Sequence, residues 1–448
     1  MIPVKLSEIC RTLSCELQSE DITVTGVSTD SRSVAPTEIF VPIVGEKFDA
    51  HDFIPTIKVC AATLCEKECA DVPFLKIPVG STVEALGLIA RENFRKAGVP
   101  LTVSLTGSVG KTTTKEMCAL VLARKYKTFK TEGNRNNHIG LPQTLLSLDE
   151  SVEAFVCEMG MNHFGELSYL AGLFDSDIAM ITNIGNAHIE NLGSREGILK
   201  AKLEILEGLK KDGTLIINGD ERLFDGLDIP QRIVRVGLGD KCDVYAENII
   251  SHSDGVDFDC VTPVGRVKVS LPVPGKHNVM NALFAMALSF LNVIPLEDAA
   301  SALGEYVPSG MRQKIYKRLG CTVIADCYNA GVESMKASLE AMCDMRGEHL
   351  CIAVLGDMLE LGEVSERFHR EVGRRVSELK IDILIAFGDK ARFIVEEADG
   401  VERYYYSDRS EFEKKIMEFL PREPMILFKA SRGMEFEKTI ASVGLSQE

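Results

Sequence analysis

The segment Gly107-Ser-Val-Gly110-Lys111-Thr112-Thr113 has residue types and a spacing that suit phosphate chemistry. Its two glycines let the backbone approach an anion without a Cβ clash, and the N–H groups at the start of a following helix point at that anion. The lysine ammonium favours the β- and γ-phosphates, and the Thr112 hydroxyl is a ligand for Mg²⁺. The segment therefore predicts a nucleoside triphosphate site, formed by Gly107, Ser108, Val109, Gly110, Lys111, Thr112 and Thr113.

This loop is shorter than the general phosphate-loop pattern, which has a glycine where this chain has Leu105. A purely structural turn is the alternative interpretation. The context favours phosphate binding, because an apolar strand pattern precedes the loop and an amphipathic run over residues 117–123 follows it. Strand, turn and helix together are what the phosphate chemistry needs.

Two further residues follow predicted strands at their carboxyl ends. Glu158 ends the apolar run 154–157, and His188 follows the strand and turn that begin at residue 178. In open α/β sheets ligands bind at this edge, where a carboxylate can hold Mg²⁺. The sequence thus predicts metal ligands, against the simpler alternatives of an exposed strand-end charge for Glu158 and a structural role for His188.

Lysines and amides complete the set of candidate residues. Lys200 and Lys202 share one predicted helix, and periodicity does not decide which of them faces inward. The stretch 131–142 suits a loop that hydrogen-bonds a polar, charged substrate, with its amides at Asn134, Asn136 and Asn137.

An apolar helix is predicted over residues 280–296, and two asparagines lie at its start. Asn278 is a plausible N-cap for this helix. Asn281 is polar within the apolar run, and its amide has the donor and acceptor needed to recognise an adenine edge.

Composition limits the classes of protein. A chain of 448 residues is too long for one hydrophobic core, so two or three domains are expected. The net charge of −16 argues against non-specific binding to nucleic acid or to an anionic membrane. The 13 cysteines include no C-x-x-C pair, which favours reduced thiols in the cytoplasm over an iron–sulfur site. The N-terminus lacks the layout of a signal peptide.

The order of apolar and helical patterns predicts an α/β protein of three domains. Residues 1–85 form a small mixed α/β domain. Residues 86–310 form a mainly parallel sheet domain, with helices over 83–96 and 194–211 and a β-hairpin of strands 256–260 and 267–271. Residues 311–448 alternate strand and helix throughout, which predicts a second doubly wound, Rossmann-like sheet, although no dinucleotide glycine fingerprint follows its first strand.

Taken together, these segments resemble the Mur ligase family of ATP-dependent amide-forming enzymes, in order and over nearly the whole chain. Residues 106–114 match the family's phosphate segment, and residues 158–160 and 183–188 match its metal segments. Residues 201–204 match its lysine segment, and residues 276–281 match its adenine segment. Four segments resemble the family member that adds a D-alanyl-D-alanine dipeptide, namely residues 133–137, 325–330, 355–362 and 429–434.

The resemblance implies a reaction and its partners. The terminal carboxylate of UDP-N-acetylmuramoyl-tripeptide would take the γ-phosphoryl group of ATP, and the amine of D-alanyl-D-alanine would then displace phosphate. Two Mg²⁺ ions are implied, together with Lys202 carbamoylated by CO₂ into an anionic ligand. A cytoplasmic monomer that works in cell-wall precursor synthesis is expected.

The resemblance also implies residue roles. Metal ligands would be Thr112, Glu158, His188 and the carbamoylated Lys202, and Lys111 and Asn137 would act on the reacting groups. Besides the loop, the nucleotide would contact Asn278, Asn281, Arg312, Asp326, Tyr328 and Asn329, with Arg312 on the γ-phosphate. The UDP-sugar substrate would contact Ser31, Arg32, Lys47, Asp49, His51, Asn134, Asn136 and Asn137.

The chain departs from the family pattern at several positions. The family usually has Pro at Asn186, Asn-Pro at Gly331-Val332, Gly at Ala50 and Ala430, and Asp at Glu221. Other activities with the same fold stay open: a ligase that adds a single amino acid, a folylpolyglutamate-type ligase, or a nucleotide-binding protein without catalysis.

Overall fold

The computed structural model describes residues 1–45 and 47–447 and divides into two compact units. The first unit comprises Met1–Thr106, Lys125–Ala179 and Leu203–Thr214. The second comprises Gly107–Arg124, Met180–Lys202 and the chain from Leu215 onward. Units built from several separate stretches arise because parallel strands pair with strands distant in sequence.

The N-terminal part of the first unit is a small α/β structure. A two-stranded antiparallel sheet is made by β1 (Val4–Lys5) and β2 (Thr23–Val24), with α1 (Leu6–Thr12) between them. A four-stranded parallel sheet follows, whose strands are β3 (Gly26–Ser28), β4 (Glu38–Phe40), β5 (Ala62–Cys65) and β6 (Leu75–Pro78). The side chains of Phe40 and Ile54 are fully buried against it.

A nine-stranded sheet follows in the chain. Its strands are β7 (Leu101–Thr106), β8 (Thr128–Lys130), β9 (Ala154–Glu158), β10 (Ser176–Ile181), β11 (Leu209–Asn218), β12 (Arg232–Gly237), β13 (Val244–His252), β14 (Gly255–Thr262) and β15 (Gly265–Leu271). Their order is β15-β14-β13-β12-β11-β10-β7-β9-β8. Strand β9 pairs in parallel with β7 and β8, whereas β14 pairs antiparallel with β13 and β15. The predicted hairpin is therefore confirmed.

Eight helices accompany these strands in the described chain. They are α2 (Thr82–Ala97), α3 (Lys111–Leu122), α4 (Gly140–Leu146), α5 (Glu166–Ala171), α6 (Ile189–Leu192), α7 (Arg195–Leu203), α8 (Lys276–Leu291) and α9 (Leu296–Gly304). The strand, loop and helix predicted around the phosphate segment are confirmed as β7, residues 107–110 and α3.

Two predicted helices are too long. The helix expected over 194–211 ends at Leu203, a 3₁₀ turn follows over Glu204–Gly208, and β11 begins at Leu209. The polar start of β11 looks helical in sequence, but the Lys210 ammonium lies 2.5 Å from the carboxylate of Asp177 on β10. The apolar helix predicted to reach residue 296 ends at Leu291, because Val293 adopts a left-handed φ of 53° before α9 starts.

The C-terminal region forms a six-stranded sheet in the second unit. Its strands are β16 (Lys314–Arg318), β17 (Cys321–Ala325), β18 (Cys351–Gly356), β19 (Ile383–Phe387), β20 (Glu402–Tyr406) and β21 (Met425–Lys429), in the order β16-β17-β21-β18-β19-β20. All pairs are parallel except β16 with β17. The sequence did not predict the edge strand β16, whose residues are mostly polar.

Five helices follow the strands of this sheet, as the strand–helix alternation predicted. They are α10 (Val332–Asp344), α11 (Ser365–Glu378), α12 (Arg392–Glu397), α13 (Arg409–Phe419) and α14 (Phe436–Ser442). Buried side chains from strands and helices, such as Val354, Phe412 and Phe428, form one core. The predicted α/β class with mainly parallel sheets is confirmed.

Within residues 1–45 and 47–447, none of the helices has the length and apolar character needed to cross a membrane. The 13 cysteines are all free thiols, and most of them are buried.

Candidate active site

The phosphate loop of the second unit is tightly packed. Gly110 precedes α3 with a φ of 80°, and a Cβ there would lie 2.5 Å from Asn281 Oδ1, so only glycine fits. The Lys111 ammonium donates a hydrogen bond of 2.8 Å to the Gly107 carbonyl. Thr112 is buried in the first turn of α3. The first turn of this helix therefore carries the ammonium and the hydroxyl that the sequence predicted for phosphate and metal.

The segment after β10 holds the same loop from the other side. Asn183 Oδ1 accepts hydrogen bonds from the amides of Ser108 and Val109, at 3.1 and 3.0 Å. Asn183 Nδ2 and the Thr182 hydroxyl both donate to the Val109 carbonyl. The amide of Gly185 donates to the Ser108 hydroxyl over 2.9 Å. The Ser108 amide also donates to the Asn183 backbone carbonyl at 3.3 Å, so six hydrogen bonds join this segment to the loop.

The two asparagines of α8 have different surroundings from those expected. Gly275, not Asn278, is the N-cap of this helix, and the prediction for Asn278 is wrong in that respect. The Asn278 amide instead donates to the carbonyl of Pro274 and to Gln313 Oε1, both at 2.7 Å. Asn281 Oδ1 accepts from the Thr114 hydroxyl at 3.2 Å. Both side chains are buried, so their recognition of adenine stays a prediction.

A buried ion pair anchors the C-terminal candidates. The Lys429 ammonium lies 2.7 Å from Asp326 Oδ2, and Asp326 Oδ1 accepts from the backbone amide of Gln313. Lys429 also donates to the carbonyl of Asn329. The sequence predicted Asp326 as a nucleotide ligand but assigned no role to Lys429, which sets the position of that carboxylate.

Arg312 and Tyr328 form a stacked pair. The guanidinium carbon of Arg312 lies 3.6 Å from the centre of the Tyr328 ring, which is a close cation–π contact. Stacking restrains a long side chain at little entropic cost, and it leaves the guanidinium edges to donate hydrogen bonds. Both predicted nucleotide residues are thus brought together.

His188 lies at a strained position of the backbone. It has a left-handed φ of 62° just before α6, and its Nδ1 is 2.9 Å from Glu360 Oε2 in the loop after β18. This close contact with the imidazole lowers the pKa of Glu360. A strained histidine is often part of a functional site. The charged group beside His188 is the Glu360 carboxylate, which the sequence did not predict.

Lys202 is the inward-facing lysine of α7. Its side chain is 2% exposed, whereas Lys200 is exposed. Burial lowers the pKa of Lys202 well below its usual value, and the nearby charge of Lys111 lowers it further. Both effects favour the neutral, nucleophilic form of this amine.

In the first unit, Glu158 and Asn136 lie together. The Glu158 carboxylate is buried, and its Oε1 accepts from Asn136 Nδ2 at 2.9 Å. The backbone amide of Glu158 donates to the Thr131 hydroxyl, and that of Gly160 to the Asn136 carbonyl. The end of β9 and the asparagine-rich loop are thus held together, and their metal and substrate roles stay predictions.

The other two asparagines of this loop are exposed. Asn134 accepts the Asn136 amide with its backbone carbonyl. Asn137 Oδ1 accepts from the amides of Ile139 and Gly140 at the start of α4. Asn137 also lines a depression together with Phe164 and other residues of the first unit.

The N-terminal candidates are largely engaged with each other. Arg32 is exposed and forms a bidentate pair with Asp30, and Ser31 lies between them. His51 is buried, and its Nε2 accepts from the Glu66 amide, so its Nδ1 carries the hydrogen that binds Asp49 at 2.6 Å.

Asp49 has a second cationic partner. Lys67 lies 2.6 Å from the other oxygen of Asp49, and this hydrogen bond is the main reason that the pKa of Asp49 is lowered. Lys47 is exposed. Substrate contacts at these positions stay predictions.

Comparison with known proteins gives the family. Residues 105–289 match the model of the Mur ligase middle domain, and residues 311–432 match that of the Mur ligase glutamate ligase domain. A UDP-N-acetylmuramoyl-tripeptide--D-alanyl-D-alanine ligase of Bacillus subtilis (strain 168) is 38% identical over 447 residues, which cover 97% of this chain and 96% of the relative. This chain belongs to the Mur ligase family.

Solved structures of Mur ligases share the whole architecture. A crystal structure of MurF from Acinetobacter baumannii superposes with a TM-score of 0.92 at 29% identity and covers 99% of both chains. A MurF ligase from Thermotoga maritima in complex with ADP has a TM-score of 0.85 at 26% identity, covering 94% of this chain and 97% of that one. The ligase class predicted from the sequence is confirmed.

Most departures from the Mur ligase pattern have a structural explanation. Asn186 Nδ2 donates to Glu333 Oε1 at 2.5 Å, and Glu333 follows the departing Gly331-Val332 in the first turn of α10. Glu221 lies 2.5 Å from Arg195, which donates to the Ile184 carbonyl.

The two alanine departures are buried. The Ala430 methyl packs against position 356, where a Cβ would lie 2.7 Å from it and glycine leaves the space. Ala50 starts a 3₁₀ helix. None of the departures removes a predicted phosphate or metal residue of this Mur ligase.

These residues suit the binding mode of Mg²⁺ and not a metal site built from protein ligands alone. Over the described residues, no three His, Cys, Asp or Glu side chains come together as a protein-only metal cage. Mg²⁺ does not need such a cage, because it keeps several waters and binds one or two carboxylates together with substrate phosphates. The buried, oriented Glu158 carboxylate of the first unit and the Thr112 hydroxyl of the second unit are hard oxygen groups of the kind that Mg²⁺ prefers, and metal binding by each stays a prediction.

Proposed function

We propose that this chain joins D-alanyl-D-alanine to the terminal carboxylate of UDP-N-acetylmuramoyl-tripeptide, with conversion of ATP to ADP and phosphate. The observation that carries this proposal is the extent of the similarity. Relatives named for this reaction match 97% and 99% of the chain, so the likeness includes the N-terminal and C-terminal regions as well as the nucleotide loop.

The chemistry follows from the weakness of a carboxylate as an electrophile. A carboxylate oxygen bonds to the γ-phosphorus while the bond from that phosphorus to the ADP oxygen breaks, which gives an acyl phosphate. The dipeptide amine then attacks the acyl carbon, loses a proton, and expels phosphate. The products are the amide, ADP and inorganic phosphate, so atoms and charge balance.

The first step brings two anions together. Two unit charges about 4 Å apart repel by about 4 kcal/mol at an effective dielectric constant near 20. In the proposed function, the Lys111 ammonium and the N-terminus of α3 offset this repulsion, and Arg312 supplies a further charge on the γ-phosphate. Mg²⁺, held by Thr112, Glu158 and His188 in two sites, would neutralise phosphate charge.

Lys202 has a proposed role of its own. Burial and the charge of Lys111 favour its neutral amine, and a neutral amine can add CO₂ with loss of a proton. The resulting carbamate is an anion in place of a cation, so the position could then hold a metal. The buried amine is the support for this proposal.

Substrate contacts are proposed by region. The UDP-sugar would lie on Ser31, Arg32, Lys47, Asp49 and His51, and Asn134, Asn136 and Asn137 would contact the tripeptide end. Adenine and ribose would contact Asn278, Asn281, Asp326, Tyr328 and Asn329. We propose that the domain of residues 1–85 binds the UDP-sugar, that of residues 86–310 binds ATP, and that of residues 311–448 binds the dipeptide. We also propose that the protein is a monomer. A reaction that consumes ATP and a UDP-linked precursor belongs in the cytoplasm.

The test is a phosphate-release assay on the purified chain with Mg²⁺, ATP and UDP-N-acetylmuramoyl-tripeptide. We expect D-alanyl-D-alanine to start phosphate release, and single amino acids to give at most a small fraction of that rate. Release that depends on meso-diaminopimelate, L-lysine or L-glutamate instead would assign the chain to another ligase activity. ATP binding without any turnover would mean a nucleotide-binding protein.

A further inference from the structure

Asn183 is half-buried at the carboxyl end of β10, and its side chain makes three hydrogen bonds to the phosphate loop. Its Oδ1 accepts from the amides of Ser108 and Val109, and its Nδ2 donates to the Val109 carbonyl at 3.0 Å. A side-chain amide is well suited to this task, because it offers an acceptor and a donor in one plane.

These bonds determine which amides of the loop face an anion. The amides of Ser108 and Val109, which the sequence predicted for nucleotide binding, donate to Asn183 Oδ1 and are not available to an anion while these bonds are made. The amides at the start of α3, after Gly110, are directed along the helix axis, where an anion binds. In this chain the anion-facing part of the loop therefore begins later than its first glycine.

The loop conformation depends on this side chain more than on its neighbours. Thr182 makes one bond to the Val109 carbonyl, and the Gly185 amide makes one to the Ser108 hydroxyl. Neither contacts the two amides that Asn183 orients. The Ser108 amide also donates to the Asn183 backbone carbonyl at 3.3 Å and would keep that bond without the side chain. Without the Asn183 acceptor, the Val109 amide would be free to turn, and the loop would lose part of its fixed shape before nucleotide binds.

We propose that Asn183 is a positioning residue for nucleotide binding, which holds the phosphate loop in its binding conformation and does not itself touch the phosphates. This inference rests on the proposed function, since it concerns the same nucleotide site. A ready-made loop avoids the entropic cost of ordering it on binding. The effect is expected on nucleotide affinity and not on the chemical steps.

The test compares Asn183→Ala with Asn191→Ala, a matched control on an exposed asparagine of α6. Equilibrium titration with ADP and with ATP measures the Kd. Loss of these hydrogen bonds is expected to raise both Kd values about tenfold, and Asn191→Ala is expected to leave them within about twofold. In the ligase assay the KM for ATP should rise while kcat at saturating ATP stays close to wild type. A variant that only lost folded protein would lower kcat and keep KM.

A second variant covers the case in which Asn183→Ala folds poorly. Asn183→Asp keeps the acceptor for both amides, cannot donate to the Val109 carbonyl, and adds a negative charge beside the loop. It should keep the thermal midpoint within a few degrees and bind ATP more weakly than wild type, with the deficit reduced by salt. ATP affinity equal to wild type in both variants would overturn the inference. If wild type binds ATP but releases no phosphate with any acceptor, the proposed function fails while the Kd comparison still decides the role of Asn183.

Discussion

Lys202 shows what burial does to a single side chain. An amine in apolar surroundings cannot keep its charge cheaply, so its pKa falls, and the charge of Lys111 acts in the same direction. A lysine of this kind is chemically different from Lys200, two residues earlier and exposed. Two lysines on the same helix thus differ in reactivity, because one is buried and the other is exposed.

We expect Lys202→Ala to lower kcat about 10²- to 10³-fold, the size of effect seen when one preorganised electrostatic group is removed. Added acetate or formate should restore part of the activity, because a small carboxylate can occupy the position of the proposed carbamate. Steady-state phosphate release with and without these anions measures the rescue, with chloride as the salt control.

Lys200→Ala is the matched control for this experiment and should retain nearly wild-type kcat. Full activity of Lys202→Ala would exclude any role of Lys202 in the reaction. Low activity without rescue by carboxylates would exclude the carbamate and leave a structural lysine.

The loop after β18 shows how one helix positions a separate element. His369 on α11 is buried, accepts the Met358 amide with Nε2 at 3.0 Å, and donates from Nδ1 to the Ser365 carbonyl at 2.7 Å. It thereby fixes the start of the loop that brings Glu360 to His188. Both ring nitrogens are used in the neutral form, so protonation would break the contact with Met358.

Burial lowers the pKa of His369 below that of a free histidine, which is about 6.5. As pH falls from about 6.5 toward the lowered value, the unfolded chain takes up the proton and the folded chain does not, so the free energy of unfolding decreases. We expect His369→Gln to remove the part of this pH dependence that His369 contributes, which is up to about 1.4 kcal/mol per pH unit. At pH 7 the substitution should lower the free energy of unfolding by about 1 kcal/mol, because a hydrogen bond is lost. Urea unfolding at pH 7, 6 and 5 measures both.

His349→Gln, on an exposed histidine of the same domain, controls for the substitution itself. His277 is half-buried and also has a pKa lowered by desolvation, so the slope of stability against pH should decrease in His369→Gln without vanishing. An unchanged slope would contradict the neutral, hydrogen-bonded role of His369.

At the scale of the whole molecule, the second unit joins the C-terminal sheet to the nucleotide loop. Glu333 in the first turn of α10 accepts from Asn186, and it also packs against Gly185, where a Cβ would lie 3.0 Å from its Cδ. Gly185 in turn donates to Ser108 of the phosphate loop. Three contacts in a row therefore link α10 to the loop.

A double-mutant cycle of Asn186→Ala and Glu333→Ala should give a coupling free energy of about 1 kcal/mol, as for one hydrogen bond between contacting side chains. Urea unfolding of the wild type, both single variants and the double variant provides the four free energies. The cycle of Asn191→Ala with Glu333→Ala is the control and should give a coupling near zero. Equal values from the two cycles would show that the Asn186–Glu333 contact carries no energy.

Sequence alone determined the features that are encoded locally. The phosphate loop, the alternation of strands and helices, and the hairpin after β13 depend on the spacing of neighbouring residues, and the structure has them where they were predicted. The family followed from short segments in a fixed order. Edge strand β16 and the true start of β11 were missed, because their residues are polar and only pairing with another strand reveals them.

The tertiary structure decided what depends on residues far apart in the chain. Periodicity left Lys200 and Lys202 equivalent, and packing buried one of them. The bonds of Asn183 to the loop cross more than seventy residues, and the pair of Lys429 with Asp326 crosses 103. Local spacing carries no information on such partners, since burial, ion pairing and pKa arise only when folding brings distant side chains together.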